Sequence, residues 1–182
     1  LHMSSVFATI ANSGQQCKPQ SIESVTDRDE NVLKEFTADC KEVISPDVAN
    51  KTAALLTASA GQYYTSTRLG DGRPFAAKSG TTDGHANTWL TGFTPSLATS
   101  AWVGHGDNSS QEVSGVVING VYHSEIFGET YVGQNIWAPY MTQALAGTPV
   151  EAVSNANIGA TTPQRGATPT PTPSASPTGN DH

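Results

Sequence analysis

Two runs, "TWLTGFT" (Thr88–Thr94) and "LATSAWVG" (Leu97–Gly104), are separated only by Pro95-Ser96. Both are rich in β-branched and aromatic residues, and a two-residue link is hairpin spacing. Strands joined that tightly run antiparallel. Phe75–Thr81 is a third strand candidate just before them. Helical patterns flank this block. Met3, Val6, Phe7 and Ile10 form one apolar stripe, so a first helix covers about Met3 to Asn12 and stops at Ser13-Gly14. In "SPDVANKTAALLTASAG", Ser45 can cap a second helix, Pro46 suits its first turn and Gly61 ends it. Val48, Ala54, Leu55 and the smaller alanines give that helix its packing face. "RLGDGRP" is a turn, and Gln111–Thr130 reads as irregular, with short β pieces such as "GVVING". "IWAPYMTQALAG" reads as a last helix with Pro139 in its first turn. The sum is an α+β chain: an antiparallel sheet with helices packed on it.

Cys17 and Cys40 flank a second hairpin pattern. Ile22 and Val25 precede a polar turn at Asp27–Asn31, and Val32 and Leu33 follow it. Such a hairpin brings its ends, and both sulfurs, together. The favoured expectation is a Cys17–Cys40 disulfide in an oxidising, extracytoplasmic compartment; two unrelated buried thiols are the alternative.

At 182 residues the chain suffices for one domain with a core. Residues 1–148 are expected to hold it. Residues 149–182, with "ATPTPTPSASPTGNDH", are Pro/Thr/Ser-rich and read as a disordered tail or wall-spanning stalk. Nine basic against sixteen acidic residues give a net charge of −7, with no basic cluster, which argues against nucleic acid as a partner. No apolar run is long enough to span a membrane. No signal peptide is visible, and helix-like sequence starts at once, so the chain reads as a piece of a longer protein lacking its N-terminal part.

The segment "FAAKSGTTDGHANTWLTGFTP" carries the chemistry. Along a strand, Ser79 and Thr81 point the same way, two hydroxyls about 7 Å apart that can grip a carboxylate. Gly80 between them lets a ligand backbone approach. Lys78 adds positive charge, but alternation puts it on the other face, so it must reach round on its long stem or sit at an exposed edge. A backbone N–H near the strand end can stabilise an oxyanion. Alone the triplet is weak, since Lys-[Ser/Thr]-Gly arises by chance in about one chain in ten of this length. Nothing else completes an enzyme. His2, His85, His105, His123 and His182 are scattered without metal-ligand spacing, so neither a metal nor a cofactor is expected. His85 lies in the loop after the motif and receives no role. No Gly-x-Ser-x-Gly elbow occurs.

The order of the blocks resembles the C-terminal half of the transpeptidase domain of class A penicillin-binding proteins, actinobacterial ones in particular. "HMSSVFATIANSG" resembles the helix after the second catalytic motif of that family, and "KPQSIESVTDRDENVL" its next hairpin, with Glu30-Asn31 where Asp-Gly is common. "AAKSGTT" resembles the third motif, Lys-[Thr/Ser]-Gly-Thr-Thr. "TWLTGFTPSLATSAWVG" resembles the two strands after it, with Thr88 where Asp is usual, and "IWAPYMTQALAG" the closing helix. The resemblance covers about residues 1–147. It implies a partial penicillin-binding protein or serine β-lactamase-like fold and a serine D,D-transpeptidase that crosslinks peptidoglycan stem peptides and is acylated by β-lactams. It also implies a plasma-membrane anchor and a glycosyltransferase domain upstream in the parent protein. Carried over, Lys78 positions and polarises the reacting groups, Ser79 and Thr81 hold the substrate or penicillin carboxylate, and the Thr81 N–H is an oxyanion donor. Gly80 and Thr82 complete the substrate-binding strand.

The nucleophile is missing. The residues three before Lys18, Lys34, Lys41, Lys51 and Lys78 are Gln15, Asn31, Ala38, Val48 and Phe75, so no Ser-x-x-Lys exists, and no Ser-x-Asn either. The chain alone is therefore expected to be inactive, with the N-terminal half of the same domain as its necessary partner. Two alternatives stand beside this reading. One is a non-catalytic, wall-associated binding module. The other is a β-lactamase or carboxypeptidase relative, against which the "T-G-F-T-P…W-V-G" pair speaks.

Overall fold

The computed structural model describes residues 1–108, 110–154 and 156. The elements are α1 (His2–Ala11), β1 (Gln15–Cys17), β2 (Ser24–Thr26), β3 (Val32–Glu35), β4 (Cys40–Glu42), α2 (Pro46–Tyr63) and β5 (Ala76–Thr81). Then come β6 (Asn87–Thr94), β7 (Leu97–Gly104), β8 (Val116–Ile118), β9 (Val121–His123), a wide π-helical segment (Gly128–Trp137) and α3 (Ala138–Ala144). A single 3₁₀ turn at Asp83–His85 links β5 to β6.

The expected antiparallel sheet is present. Its order is β5-β6-β7, with Thr94 opposite Leu97 at the Pro95-Ser96 turn. Cross-strand partners share a face, so the register fixes what each face buries. Ala77, Leu90 and Ala101 lie on one face and pack with Phe75, Ile126, Val132, Trp137 and Met141. Ala76 and Phe93 lie on the other and pack with Phe7, Ala53 and Val153. Phe7 meets Phe93 edge-on at 6.3 Å, and Phe75 meets Trp137 at 5.1 Å. The sheet is thus the middle layer, with α1 on one side and the π-helical segment and α3 on the other.

Three local expectations are corrected. In α1 only Phe7 of the apolar stripe is buried, while Met3 and Val6 are 45% and 49% exposed. The helix is turned because Ser4 docks too, its hydroxyl donating to Ser100 Oγ at 3.1 Å. In α2 the buried face is Ala49, Ala53 and Ala60, whereas Val48 and Leu55 are more than half exposed. Alanines let the helix axis come close to the sheet, and bulky residues on that side would hold it off. Nor does Gly61 end α2, which runs on to Tyr63 and is closed by Tyr64 N–H donating to Ala60 O. Ser45 does cap its start, accepting from Val48 N–H at 3.4 Å.

The closing helix also differs. α3 is short, with Pro139 in its first turn as expected, but wide turns from Gly128 precede it. Pro139 has no N–H to return to the carbonyl four residues earlier and crowds it, which favours local widening. The end of α3 is clamped by Arg73, 5% exposed, whose guanidinium donates to Leu145 O and Thr148 O and pairs with Asp71. Val153, beyond the boundary expected at residue 148, is buried against the Phe7 cluster. The Pro/Thr/Ser-rich stretch from 157 onward lies outside the described residues.

The Cys-flanked hairpin forms. Cys17 and Cys40 face each other across β1 and β4 and are disulfide-bonded. Asp27 organises the tip: Oδ1 accepts from Asp29 N–H and Asn31 N–H, and Oδ2 from the Asn31 side chain. Those donors, the Asn31 amide first, hold its carboxyl below the usual range. Glu30 takes the positive φ there, 64°. Strands β2, β3 and β4 are exposed along their whole length, so the disulfide and the β1–β4 ladder are what tie the tip to the body. Replacing both cysteines by serine is expected to cost about 3 kcal/mol in urea unfolding by the chain-entropy account. First tryptic cuts should then fall at Arg28, Lys34 or Lys41; an unchanged cleavage pattern would contradict this.

Candidate functional site

β5 is an edge strand, since β6 covers only one of its sides. Hydrogen bonding alternates along an antiparallel pair. Thr82 N–H donates to Asn87 O, which places the backbone groups of Lys78, Gly80 and Thr82 toward β6. Ser79 and Thr81 therefore turn theirs to the open edge. Ser79 is occupied there: its N–H donates to the Tyr64 hydroxyl at 3.0 Å, and its carbonyl accepts from Lys78 Nζ at 2.7 Å. Thr81 N–H points the same way and has no partner among the described residues. Lys78 thus reaches round the strand edge on its long stem, the first of the two arrangements that alternation allowed.

The hydroxyls of Ser79 and Thr81 share the sheet face that carries Leu90 and Thr88. Tyr64, 3% exposed at the end of α2, lies 3.5 Å from Ser79 Oγ as well, so its phenol orients both the N–H and the hydroxyl of that residue. Nothing in the sequence marks Tyr64, since its role depends on where the end of α2 meets β5. A methyl group at Gly80, which is exposed, would meet only Trp89 Cβ, at an ordinary 3.8 Å. The Thr82 hydroxyl accepts from Asn87 N–H at 3.0 Å and so shapes the loop after the motif. Thr88, opposite Thr81, is fully buried, and its hydroxyl finds no partner among the described residues.

Lys78 to His85, Phe127 and Glu129 line an open cleft of about 660 Å³. The far wall, which sequence reasoning missed, belongs to the start of the π-helical segment. Gly128 lies directly on the motif: a methyl group there would overlap the Trp89 carbonyl oxygen and come within 2.9 Å of Ser79 Cβ. His85, with a positive φ of 52°, packs edge-on against Phe127 at 5.2 Å, and its Nδ1 lies 3.6 Å from Glu112 and 3.5 Å from Ser114. His105 and His123 are not brought to the cleft, and His123 packs on Tyr131 instead. No group of three or more potential metal ligands exists among the described residues.

A cation, two hydroxyls and an unpaired N–H along one strand edge form a place for an anionic, carbonyl-bearing ligand. Residues 1–121 match the family described as the penicillin-binding protein transpeptidase domain. The chain belongs to the penicillin-binding protein transpeptidase family. It is similar to penicillin-binding protein 1A of Mycolicibacterium smegmatis, 34% identical over 94% of this chain and 22% of that protein. Among solved structures it is similar to the penicillin-binding protein PonA1 from Mycobacterium tuberculosis, with a TM-score of 0.68, 30% identity, and coverage of 89% of this chain and 44% of that one. Its fold is also shared with penicillin-binding protein A of M. tuberculosis, solved as a penicillin G acyl-enzyme complex, at a TM-score of 0.53, 19% identity, and coverage of 79% and 30%. The chain thus spans about a fifth of the length of the M. smegmatis relative. Within the penicillin-binding transpeptidase fold, its antiparallel sheet and packed helices are those expected above.

Proposed function

We propose that this chain forms one wall of a peptidoglycan D,D-transpeptidase cleft whose serine nucleophile comes from upstream sequence in the parent protein. The observation that carries this is the open edge of β5, where the Thr81 N–H is unpaired beside the Ser79 and Thr81 hydroxyls and the Lys78 ammonium. In the first step the serine oxygen bonds to the penultimate D-Ala carbonyl carbon of a stem peptide. The C–N bond breaks, and the terminal D-Ala leaves as an amine carrying the serine proton. In the second, an acceptor amine bonds to that carbon, the ester C–O bond breaks, and a proton returns to the serine oxygen.

Ser79 and Thr81 hold the terminal carboxylate, with Gly80 and Thr82 shaping the strand around it. Lys78 lowers the energy of the anionic transition state, and the Thr81 N–H donates to the oxyanion. The penicillin G acyl-enzyme of the M. tuberculosis relative supports β-lactams as ligands of the same cleft. An extracytoplasmic site, a parent anchored in the plasma membrane and an upstream glycosyltransferase domain belong to the same reading. The structure's disulfide agrees with an oxidising compartment. No helix among the described residues is long and apolar enough to cross a membrane.

Labelling with a fluorescent penicillin tests this. The parent protein is expected to be acylated, and the 182-residue chain alone is not, because it contains no Ser-x-x-Lys. An adduct on the isolated chain would overturn the division of the site. The absent Ser-x-x-Lys also keeps a second reading, a non-catalytic wall-binding module, and a parent protein that never labels would favour it.

A further inference from the structure

The cleft wall opposite the motif carries a group the reading above does not use. Glu129 is half-buried and lines the main cleft together with a smaller adjoining hollow of about 360 Å³ beside Ser59, Tyr63 and Tyr64. Its backbone is fixed on both sides. Gly128 lies against Ser79 and Trp89, and Thr67 Oγ1 donates to the Glu129 carbonyl at 3.2 Å. Yet its carboxylate has no hydrogen bond or ion pair among the described residues. Lys78 lines the same two spaces, but its ammonium is held on the Ser79 carbonyl.

A carboxylate that lines a cleft and pairs with no described side chain is free to pair with a cationic group of a ligand. The first turn of a helical segment tolerates an acid, but any exposed first-turn position would serve that purpose. Nor does a donor ending in a carboxylate explain Glu129, because like charge across the cleft disfavours it. The other reactant of acyl transfer is an amine, cationic until it gives up a proton to solvent. That is the charge Glu129 matches.

We propose that Glu129 binds the ammonium form of the acyl acceptor, a primary amine on a peptide, and so favours transfer to amines over hydrolysis. This rests on the transpeptidase reading above. Opposite charges a few ångströms apart near a protein surface interact several times more strongly than in bulk water. The binding step, rather than the bond-making step, should therefore carry the effect.

The test uses the full-length parent protein, a D-Ala-D-Ala donor peptide and a tripeptide acceptor bearing a lysine side chain. Transfer is scored relative to penicillin acylation of the same preparation. In Glu129→Gln the acceptor KM is expected to rise about tenfold, with kcat changing much less, and Glu129→Asp should recover part of the loss. A neutral hydroxyl acceptor of the same shape should show no such rise. An unchanged amine KM, or an equal loss with the hydroxyl acceptor, overturns the role of Glu129 while leaving the transpeptidase reading intact. Failure of the unsubstituted protein to be acylated by penicillin overturns that reading, and this inference with it.

Discussion

Gly128→Ala is expected to lower the stability of the chain by about 3 kcal/mol or more in urea unfolding, near the top of the range for overpacked interiors. The new methyl group would overlap the backbone oxygen of Trp89, in the central strand β6, and press on Ser79 Cβ. Neither obstacle is the far end of a flexible side chain. Relief requires the π-helical segment to lift from the sheet, which also displaces Phe127 and Glu129 from the cleft wall. Gly61→Ala is the matched control. Gly61 lies in the exposed part of α2 with nothing near its absent methyl, so alanine there should stabilise by about 0.5–1 kcal/mol. Equal stability of Gly128→Ala and the parent sequence would show that the segment is not seated as described.

Lys78→Ala should leave folding nearly untouched and reduce penicillin acylation of the parent protein by roughly a hundredfold or more, the scale of losing one preorganised electrostatic group. Lys78 is exposed, and its contact is a hydrogen bond to the neighbouring residue's carbonyl, so little packing is lost. Lys78→Arg should not restore the rate. A planar guanidinium does not replace a compact ammonium that curls round a strand edge onto one carbonyl. Undiminished acylation in Lys78→Ala would remove this residue from the catalytic group.

Much of the sheet was legible in the sequence. The two-residue Pro95-Ser96 link and its β-rich flanks determined the β6–β7 pairing, and the spacing of Cys17 and Cys40 about a polar turn determined the disulfide. Both signals are local, and local turn chemistry constrains register strongly. The reading of Gln111–Thr130 as irregular passes over Asn119-Gly120: both residues have positive φ, and they join β8 to β9 as a tight hairpin. Helix faces were less legible. Counting large apolar residues favoured Val48 and Leu55, whereas α2 buries alanines because closeness to the sheet decides its orientation. The candidate site divided in the same way. Lys78, Ser79 and Thr81 are contiguous and announce themselves. Tyr64, Gly128 and Glu129 reach them from 15, 49 and 50 residues away from Ser79, and no periodicity encodes such approaches.

An open strand edge also invites other copies of the chain to add on, strand after strand. The phenol of Tyr64 takes one of the two outward N–H groups of this motif, and the ammonium of Lys78 takes the carbonyl beside it. What remains at this stretch is the N–H and the carbonyl of one residue, Thr81, enough to dock a single residue of a passing peptide and too little to template a sheet. The groups that tune the cleft for a ligand thus also guard the protein against sticking to itself.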